Sequence, residues 1–511
     1  MRGRVGWRCD MTGMLEIGAR GFRAAPVTEF QLFVTVEKPE LPPSYRLTEL
    51  DRAWLASDAR LPLIPVRDSL ARNLGVLVGL VYSETRGAFL TEEPFQLGVE
   101  LPDVEAVEKL LLPDLAGMFV FISGGALPTR VYMDPGGCLP LVYSAEDRRA
   151  ASSTALLLDE DAYRARFWHE LHDAMIRREG GGWISGALTA HRGVLRVLPN
   201  HYLDVETWTA HRFWPRPGDF ERWRDFDQSV DLAAAALSRF VEAATRAYDI
   251  GVTLTAGFDT RMLMAACRAS LDRCAFFTLA SGSPIDVDIS QSIARQYGLN
   301  HRILPPTNAT ANELAVWDRM VGDAVVEATR AQHTTLRQLT DRNAIFTGMY
   351  GEVGRCRLYR QDFDRINLGR IDAGFVLNRL TIPSPSAQLA NVEEWLAGLE
   401  GQPNSVILDL AFHELKFGNW AMGQRPISNS IKLNLLPMAQ RPVLEAFIGV
   451  APQEKTTEAL FAAIVRRLWP EALNVPVNRY GDMRDQLDLL KKLADPQRVR
   501  RFLRDRLAKM R

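Results

Sequence analysis

The chain has 511 residues, of which 47% are hydrophobic and 24% charged, and its 61 basic and 62 acidic residues leave a formal net charge of −1. This length predicts more than one domain, and the composition is typical of a soluble globular protein. The balanced charge gives no reason to expect a nucleic-acid partner or an acidic membrane surface, and no run approaches the roughly 20 apolar residues that span a bilayer.

The N-terminus and the cysteines bear on the compartment. The first residues are basic, but no apolar signal-peptide core follows them, and we interpret residues 1–27 as a leader segment. The cysteines are scattered and form no CxxC pair, which favours a reducing, cytoplasmic setting over a disulfide scaffold or a zinc ribbon. They stand at Cys9, Cys138, Cys267, Cys274 and Cys356.

The first half of the chain reads as short strands. β-Branched and aromatic runs are separated by Gly, Pro and Asp, and a turn is predicted at Asp134-Pro135-Gly136-Gly137. This pattern predicts mainly antiparallel sheets. The predicted strands cover residues 31–38, 74–83, 118–123, 130–134 and 140–144.

The pattern changes at about Arg222. Residues 227–249 have the apolar periodicity of an amphipathic helix, and strands and helices then alternate up to His301-Arg302-Ile303-Leu304-Pro305. Such alternation predicts parallel βαβ units. Two prolines and a glycine within residues 211–223 place a domain boundary there, and the last third of the chain is predicted to be helical.

One turn between a buried strand and a helix carries the chemistry. Thr255-Ala256-Gly257-Phe258-Asp259-Thr260 follows the apolar run 252–254 and precedes a helical pattern. At the carboxyl edge of a parallel sheet, such a turn offers backbone N–H groups to an anion. Its aspartate favours a phosphate bridged by Mg²⁺, which prefers carboxylate and phosphate oxygens. The alternative is an ordinary strand-to-helix turn with a capping aspartate.

The same residues carry a family resemblance. LTAGFDTRMLMAA resembles the Ser-Gly-Gly-Leu-Asp-Ser motif of the ATP pyrophosphatase (PP-loop) enzymes, specifically asparagine synthetase and its relatives. FTGMYGEVGR (346–355) resembles the family's Ser-Gly-Glu-Gly-Ser-Asp-Glu loop, and FHELKFGNWAM (412–422) resembles a helix before its C-terminal motifs. The next segment of the family is matched by residues 277–303, with Asp286 and His301 at similar spacing. Residues 115–144 look like the core of the N-terminal glutaminase domain.

The resemblance implies a two-domain α/β and α+β fold. Residues 28–215 would form a degenerate glutaminase-like domain, an antiparallel β-sandwich of the N-terminal-nucleophile type. Residues 222–511 would form a parallel-sheet PP-loop domain, similar to the adenine-nucleotide α hydrolases, with a helical C-terminal part. In the family, ATP activates a carboxylate as an acyl-adenylate, and an amine then attacks it to give an amide.

Roles carry over by motif position. Asp259 and Glu352 would coordinate Mg²⁺, with Glu352 also catalytic, and Arg261 would add positive charge or lie on a helix surface. The residues expected to contact ATP are Leu254, Thr255, Gly257, Phe258, Asp259, Thr260, Thr278, Leu279 and Gly348: the turn would hold the pyrophosphate, and Leu254, Thr278, Leu279 and Gly348 would line the adenosine.

The sequence also departs from the family. Its glutaminase needs a mature N-terminal cysteine, but position 2 is Arg2, and Cys9 would require processing. Met349 stands where relatives carry a catalytic Glu or Tyr, and Gly481 stands where β-lactam synthetase-like relatives carry a lysine. Arg479 or Arg484 is expected to substitute for that lysine.

Several other residues have a structural alternative. His169 and His172 lack the spacing of a zinc helix and are expected on a helix surface. His301 could contact a ligand or make a structural hydrogen bond. Glu414 could contact substrate or have a solvated or capping role, and Lys455 matches a basic position of the family or lies on the surface. The basic residues 498–511 are expected to form an amphipathic helix that packs on the domain or binds an acidic partner.

The sequence therefore predicts a cytoplasmic, ATP- and Mg²⁺-dependent ligase. It would adenylate a small-molecule or peptide carboxylate and join it to an amine that its own glutaminase does not supply. A lasso-peptide macrolactam cyclase is one alternative, and a nucleotide-binding scaffold without turnover is another, favoured by Met349 and Gly481. A pathway protein and a second copy of the chain are partners left open; nucleic acid and membrane are not expected.

Overall fold

The computed structural model describes residues 31–39, 44–176, 182–327, 330–361, 363, 366 and 369–486. Within these residues the strands form three large sheets and one two-stranded ladder. The strands are β1 (Leu32–Thr35), β2 (Tyr45–Glu49), β3 (Trp54–Asp58), β4 (Leu63–Arg67), β5 (Asn73–Ser83), β6 (Ala88–Phe89), β7 (Phe95–Gln96), β8 (Leu115–Ser123), β9 (Arg130–Met133), β10 (Leu141–Ser144), β11 (Arg149–Ala151), β12 (Gly182–Trp183), β13 (Leu195–Val197), β14 (His201–Asp204), β15 (Thr209–Arg212), β16 (Ile250–Thr253), β17 (Cys274–Leu279), β18 (His301–Leu304), β19 (Val325–Val326), β20 (Ala344–Phe346) and β21 (Leu433–Leu435).

Helices dominate the second half of the described chain. The α-helices are α1 (Val104–Ala106), α2 (Thr154–Leu157), α3 (Glu160–Arg166), α4 (His169–Ile176), α5 (Phe226–Ala247), α6 (Phe258–Ala266), α7 (Pro284–Tyr297), α8 (Ala311–Met320), α9 (Ala373–Leu380), α10 (Ser386–Ala397), α11 (Asn404–Leu410), α12 (Arg425–Ile431), α13 (Arg441–Gly449), α14 (Pro452–Thr456) and α15 (Ala459–Leu468). Shorter 3₁₀ or wider π turns cover Val107–Leu111, Leu112–Asp114, Arg268–Arg273, Arg330–Gln338, Gly351–Arg355, Ala411–Ala421 and Pro470–Leu473.

The first half forms two sheets in which almost every neighbouring pair of strands is antiparallel. One has the order β13-β10-β11-β1-β3-β2, and the other has the order β15-β14-β9-β8-β5-β4-β7, with β6 on β5. Side chains alternate between two cores: Met118, Val120 and Ile122 of β8 join one buried cluster, whereas Phe119 and Phe121 join another. This period of two is what a strand imposes when both of its faces are covered. The predicted antiparallel sheets are confirmed.

The second half is built on a parallel sheet of five strands in the order β18-β17-β16-β20-β21. Helices α6 and α7 connect β16 to β17 and β17 to β18, as the alternating pattern predicted. The long helix α5 buries one apolar face against α13 and α15, and α15 also packs on α6. The parallel βαβ prediction is therefore confirmed.

The chain is thus a mixed α/β protein with an antiparallel region and a parallel region, an arrangement compatible with two domains. Strand β12 of the first half pairs with β19 of the second, so the two regions are in contact. Within the described residues, no helix is both long enough and apolar enough to cross a bilayer. The predicted leader, Cys9 and the basic residues 498–511 lie outside the described residues.

Candidate functional site

The predicted turn lies at the carboxyl end of β16, the middle strand of the parallel sheet, and leads into α6. Gly257 is the residue before the helix, and no side chain caps this end. The first N–H groups of a helix have no partner within the helix, and together with the helix dipole they favour an anion. The turn therefore has the geometry that an anion site requires.

Hydroxyl groups hold the turn closed. The N–H of Thr255 donates to Thr260 Oγ1 at 3.0 Å, and the two threonine hydroxyl oxygens are 2.9 Å apart. The N–H of Gly257 donates to Thr255 Oγ1 at 3.2 Å, and the N–H of Ala256 donates to Asp286 Oδ1 at 3.0 Å. Asp286, at the start of α7, thus ties the neighbouring helix to the turn.

Asp259 is half-enclosed beside a guanidinium group. Its Oδ1 accepts from Arg355 Nη2 at 2.5 Å, and the two side chains are 21% and 11% exposed. Burial raises the pKa of Asp259 to about 7; the charge of Arg355 opposes this shift, and the charges of Glu352 and Glu458 add to it. A carboxylate in such surroundings is stabilised in its ionised form by any further cation that reaches it.

The loop after β20 approaches Asp259 very closely because it carries glycines. A Cβ atom on Gly348 would lie 2.7 Å from Asp259 Cβ, and one on Gly351 would lie 2.1 Å from Asp259 Oδ1. Any side chain at either position would collide with the aspartate. The structure therefore brings together Gly348, predicted to face adenosine, and Asp259.

Glu352 stands near Asp259 with its own basic neighbours. Arg357 Nε lies 3.2 Å from Glu352 Oε1. Burial lowers the pKa of Lys416, whereas the nearby charge of Glu352 raises it, and the ammonium group of Lys416 lies 4.7 Å from the ring centre of Phe412. The site thus contains the carboxylates of Asp259, Glu352 and Glu458, the last of them 4.0 Å from Arg355 Nη1, and the cationic groups of Arg355, Arg357 and Lys416.

Sequence reasoning missed these three cations. Arg355 and Arg357 follow the GMYGEVG loop directly, in RCR, and Lys416 lies within the quoted FHELKF motif. Basic side chains just after a loop that carries a candidate metal ligand were the available signal. Such clusters are also common on solvated surfaces, so local sequence does not distinguish the two cases.

The chemistry of the donors fits Mg²⁺ only as a metal shared with phosphate. Within the described residues, no group of three or more His, Cys, Asp or Glu side chains could hold a metal ion. Mg²⁺ often takes one or two carboxylates and completes its shell with water and phosphate oxygens. Asp259 and Glu352 could supply those carboxylates, and Arg355 and Arg357, which now pair with them, could pair with phosphate instead.

The residues predicted to line adenosine include structural ones. Thr278 is buried, and its Oγ1 lies 2.6 Å from the carbonyl oxygen of Leu254, 2.8 Å from Ser290 Oγ and 2.9 Å from His301 Nε2. Leu254 is also buried, whereas Leu279 is partly exposed at the end of β17. His301 therefore belongs to a hydrogen-bonded set that joins β17, α7 and β18.

The structure places Arg261 away from the turn. The side chain is fully buried, and its Nη1 donates to the carbonyl oxygens of Ala472 and Val475 at 2.7 and 2.8 Å. Neither predicted role, a charge on the anion or a surface helix residue, agrees with this geometry. Nη1 and Nη2 of Arg261 hold the segment whose Asn478 N–H donates to the Ala256 carbonyl. Arg261 thus stabilises the turn indirectly, through the segment that contains Asn478.

The predicted basic substitutes near the C-terminus are exposed. Arg479 is exposed on this segment, and Arg484 pairs with Asp482 at 2.8 Å and with Asp288 at 3.5 Å. Gly481 has a φ of 79°, which favours glycine over a residue with a side chain. The catalytic role of Arg479 stays a prediction.

Met349 and Tyr350 lie in the loop where the family resemblance predicts a catalytic residue. Met349 is partly buried and packs against the core, and a thioether cannot take a proton. Tyr350 is fully buried and donates its O–H to the carbonyl oxygen of Gly136 at 2.5 Å. The hydroxyl of Tyr350 thus reaches the first half of the chain, and its ring packs against Phe417.

The Asp134 turn of the first half therefore touches the loop of the second. Asp134 is buried and accepts four backbone N–H groups, from Phe119, Gly136, Cys138 and Leu139. His413 Nε2 lies 2.9 Å from the carbonyl oxygen of Pro135. The turn that the sequence predicted is thus one side of the contact between the two regions.

Glu414 and Lys455 serve the fold. Glu414 is fully buried and accepts from Arg212, Asn200 and Trp395, with the closest Arg212 contact at 2.6 Å. Lys455 is fully buried and lies 2.6 Å from Asp409 Oδ2. The alternative of a solvated position is wrong for both residues, because each has carboxylate or cationic partners that burial requires.

Comparisons with known proteins do not place the chain in a family. No family model matches the chain, and no curated protein matches its sequence.

Proposed function

We propose that this chain is an asparagine synthetase-like, ATP- and Mg²⁺-dependent ligase that adenylates a carboxylate and joins it to an amine. The observation that carries the proposal is the meeting of the 255–260 turn with the 347–352 loop at the carboxyl edge of the parallel sheet. There the paired carboxylates Asp259 and Glu352 lie beside Arg355 and Arg357. Ligands of open parallel sheets bind at this edge.

The positive charges of the site suit pyrophosphate as a leaving group. In the proposed reaction, a carboxylate oxygen of the substrate attacks the α-phosphorus of ATP, and pyrophosphate departs with the electron pair of the bridging oxygen. The amine then forms a bond to the acyl carbon, AMP leaves, and the amine proton passes to solvent. Arg355 and Arg357 would bind the growing negative charge of pyrophosphate, and preorganised cations of this kind lower such a barrier.

Mg²⁺ would be held by Asp259 and Glu352 together with phosphate oxygens, and would supply charge neutralisation to the leaving group. The two guanidinium groups keep the carboxylates compensated before the nucleotide arrives. Under this proposal the amine comes from outside the chain, the protein acts in the cytoplasm, and the first half of the chain has a structural role.

Calorimetry with Mg·ATP tests the first step. We expect wild type to bind, and Asp259→Asn and Glu352→Gln each to lose at least tenfold in affinity. Asp161→Asn, which changes an exposed aspartate on α3, should keep wild-type affinity. Exchange of labelled pyrophosphate into ATP, screened over carboxylates and peptides, then tests adenylation. Absence of nucleotide binding by wild type would refute the proposal.

A nucleotide-binding scaffold is the second candidate, and specific residues favour it. Met349 offers no proton acceptor, Gly481 offers no cation, and Arg261 is occupied by backbone carbonyls. A scaffold would bind Mg·ATP with the same dependence on Asp259 but release neither AMP nor pyrophosphate with any carboxylate. Binding and exchange measured on the same preparation separate the two candidates.

A further inference from the structure

A cavity of about 230 Å³ lies apart from the candidate nucleotide site and shares no lining residue with it. It lies where the 213–224 connection between the two regions passes α13 and the 108–113 segment. Its lining residues are Glu108, Lys109, Leu112, Pro113, Phe213, Trp214, Arg216, Asp219, Phe220, Arg224, Arg441 and Glu445.

Arg441 is the unusual member of this lining. It is only 4% exposed, and its Nη2 donates to the neutral amide oxygen of Asn200 at 2.8 Å. Its guanidinium carbon lies 4.0 Å from the ring centre of Trp214. Its Nη1 is buried and has no hydrogen-bond partner in the described part of the chain. Burying a cationic donor without a hydrogen-bond partner costs free energy, and an acceptor that binds to it removes this cost.

Other arginines that line the cavity already have partners. Arg216 Nη2 lies 2.8 Å from Glu108 Oε2, and Arg224 Nη2 lies 2.7 Å from Glu445 Oε2. These pairs leave Nη1 of Arg441 as the donor to which an incoming anion would bind. Lys109 and Arg216 both pair with Glu105, at 2.6 and 3.0 Å, so within the described residues Arg441 is the lining cation that has no carboxylate partner.

The walls define the rest of the ligand. Phe213 and Phe220 are buried, and Trp214 stands at 5.7 Å from Phe220, ring centre to ring centre, in an edge-on arrangement. Aromatic walls around a few polar groups are what small-molecule sites commonly present. A dianion such as phosphate would meet Glu108, Asp219 and Glu445 without an apolar body to bury against these rings.

We propose that this cavity binds a small organic monocarboxylate with an aromatic or apolar body, whose carboxylate accepts a hydrogen bond from Arg441 Nη1. The body of the ligand lies against Phe213, Trp214 and Phe220. This site is independent of the proposed nucleotide site, and its occupancy does not require ATP. Its contents differ from the substrate of the ligase because no residue of the 255–260 turn or the 347–352 loop faces it.

The test compares phenylacetate with phenylacetamide, which has the same ring but no charge. Titration calorimetry and ligand-observed NMR on the full chain should show saturable binding of phenylacetate and at least tenfold weaker binding of the amide. Arg441→Gln should abolish this preference, and Arg164→Gln, which changes a paired and exposed arginine outside the lining, should keep it.

A charge-preserving variant covers the case in which Arg441→Gln lowers stability. Arg441→Lys keeps the cation but loses the planar fork, and we expect intermediate affinity with the carboxylate still preferred. Equal binding of acid and amide, binding of neither, or unchanged binding by Arg441→Gln would each overturn the proposal. Tighter binding of inorganic phosphate than of phenylacetate would overturn the monocarboxylate assignment.

Discussion

Replacing Gly351 by alanine tests whether Asp259 is as tightly enclosed as the structure describes. Gly351 lies in a 3₁₀ turn without a positive φ, and alanine is ordinarily favoured over glycine in helical backbone by about 1 kcal/mol. Here the added Cβ would lie 2.1 Å from Asp259 Oδ1 and 2.7 Å from its Cγ, where ordinary contacts begin at 3.4 Å. The carboxylate must therefore move by roughly 1.3 Å, the difference between 2.1 Å and 3.4 Å.

This displacement breaks the contact with Arg355. The Arg355–Asp259 bond is 2.5 Å long, and a shift of this size takes it beyond the range of a hydrogen bond. The displaced carboxylate also loses its proposed contact with Mg²⁺, and a charge-assisted contact of about 1.5–3 kcal/mol corresponds to roughly 10- to 150-fold in affinity. The added methyl group crowds its neighbours and lowers the free energy of unfolding by about 1–3 kcal/mol, so the variant is expected to remain folded.

The assay is calorimetric titration with Mg·ATP, accompanied by denaturant unfolding. Gly98→Ala is the matched control, because a Cβ there would meet nothing within 4 Å. We expect Gly98→Ala to bind like wild type and Gly351→Ala to bind at least tenfold more weakly while it unfolds cooperatively. Wild-type affinity in Gly351→Ala would show that Asp259 does not contact the ligand from this position.

The remaining predictions concern buried polar groups. Burial opposes ionisation of Glu414, but Arg212 outweighs it and lowers the pKa of the carboxyl group from 4.5 to about 2. The ionised carboxylate therefore stabilises the folded state above pH 4.5, and this stabilisation is lost as the pH falls toward 2. Glu414→Gln should therefore cost about 3 kcal/mol at pH 7 in urea unfolding, and the exposed Glu454→Gln should cost nothing measurable. Tyr350→Phe leaves a buried carbonyl unpaired and should cost about 1–3 kcal/mol in the same assay; no change would mean that the hydrogen bond is absent. Because the folded pKa of Asp259 is raised to about 7 from 3.8, its ionisation destabilises the fold as pH rises. Between pH 5.5 and 8.5 the free energy of unfolding of wild type should fall by about 2 kcal/mol relative to that of Asp259→Asn. Parallel profiles of unfolding free energy against pH would contradict the raised pKa.

Local sequence determined much of the fold and of the 255–260 turn. The strand β16, the turn and α6 lie where the apolar run, the glycine and the helical period placed them, because these signals act over a few residues. The antiparallel strands of the first half follow from alternation in the same way. Periodicity records which face of an element is covered, and that is enough to predict strands and helices.

Polar partners were not predictable in this way. Arg261 binds carbonyls more than 200 residues later in the chain, and Glu414 binds Arg212, which is 202 residues earlier. A buried charge has the same local sequence signature as an exposed one, since its neighbours come from other elements. For this reason the sequence placed Arg261 at the anion and Glu414 in solvent or at a cap, whereas tertiary contacts bury both.

The loop at the candidate site is held from two sides, which gives the first half of the chain a role without its own chemistry. On one side, Gly348 and Gly351 lie against Asp259. On the other, Tyr350 adopts a φ of 73°, which costs a non-glycine residue of order 1–3 kcal/mol. Its buried ring packs 4.8 Å from that of Phe417, and its O–H donates to Gly136. The hydrogen bond to Gly136 offsets part of the backbone cost only while the Asp134 turn is in place. A first half that supplies no ammonia would therefore still fix the loop that carries Glu352, and its removal should disorder that loop before it unfolds the parallel sheet.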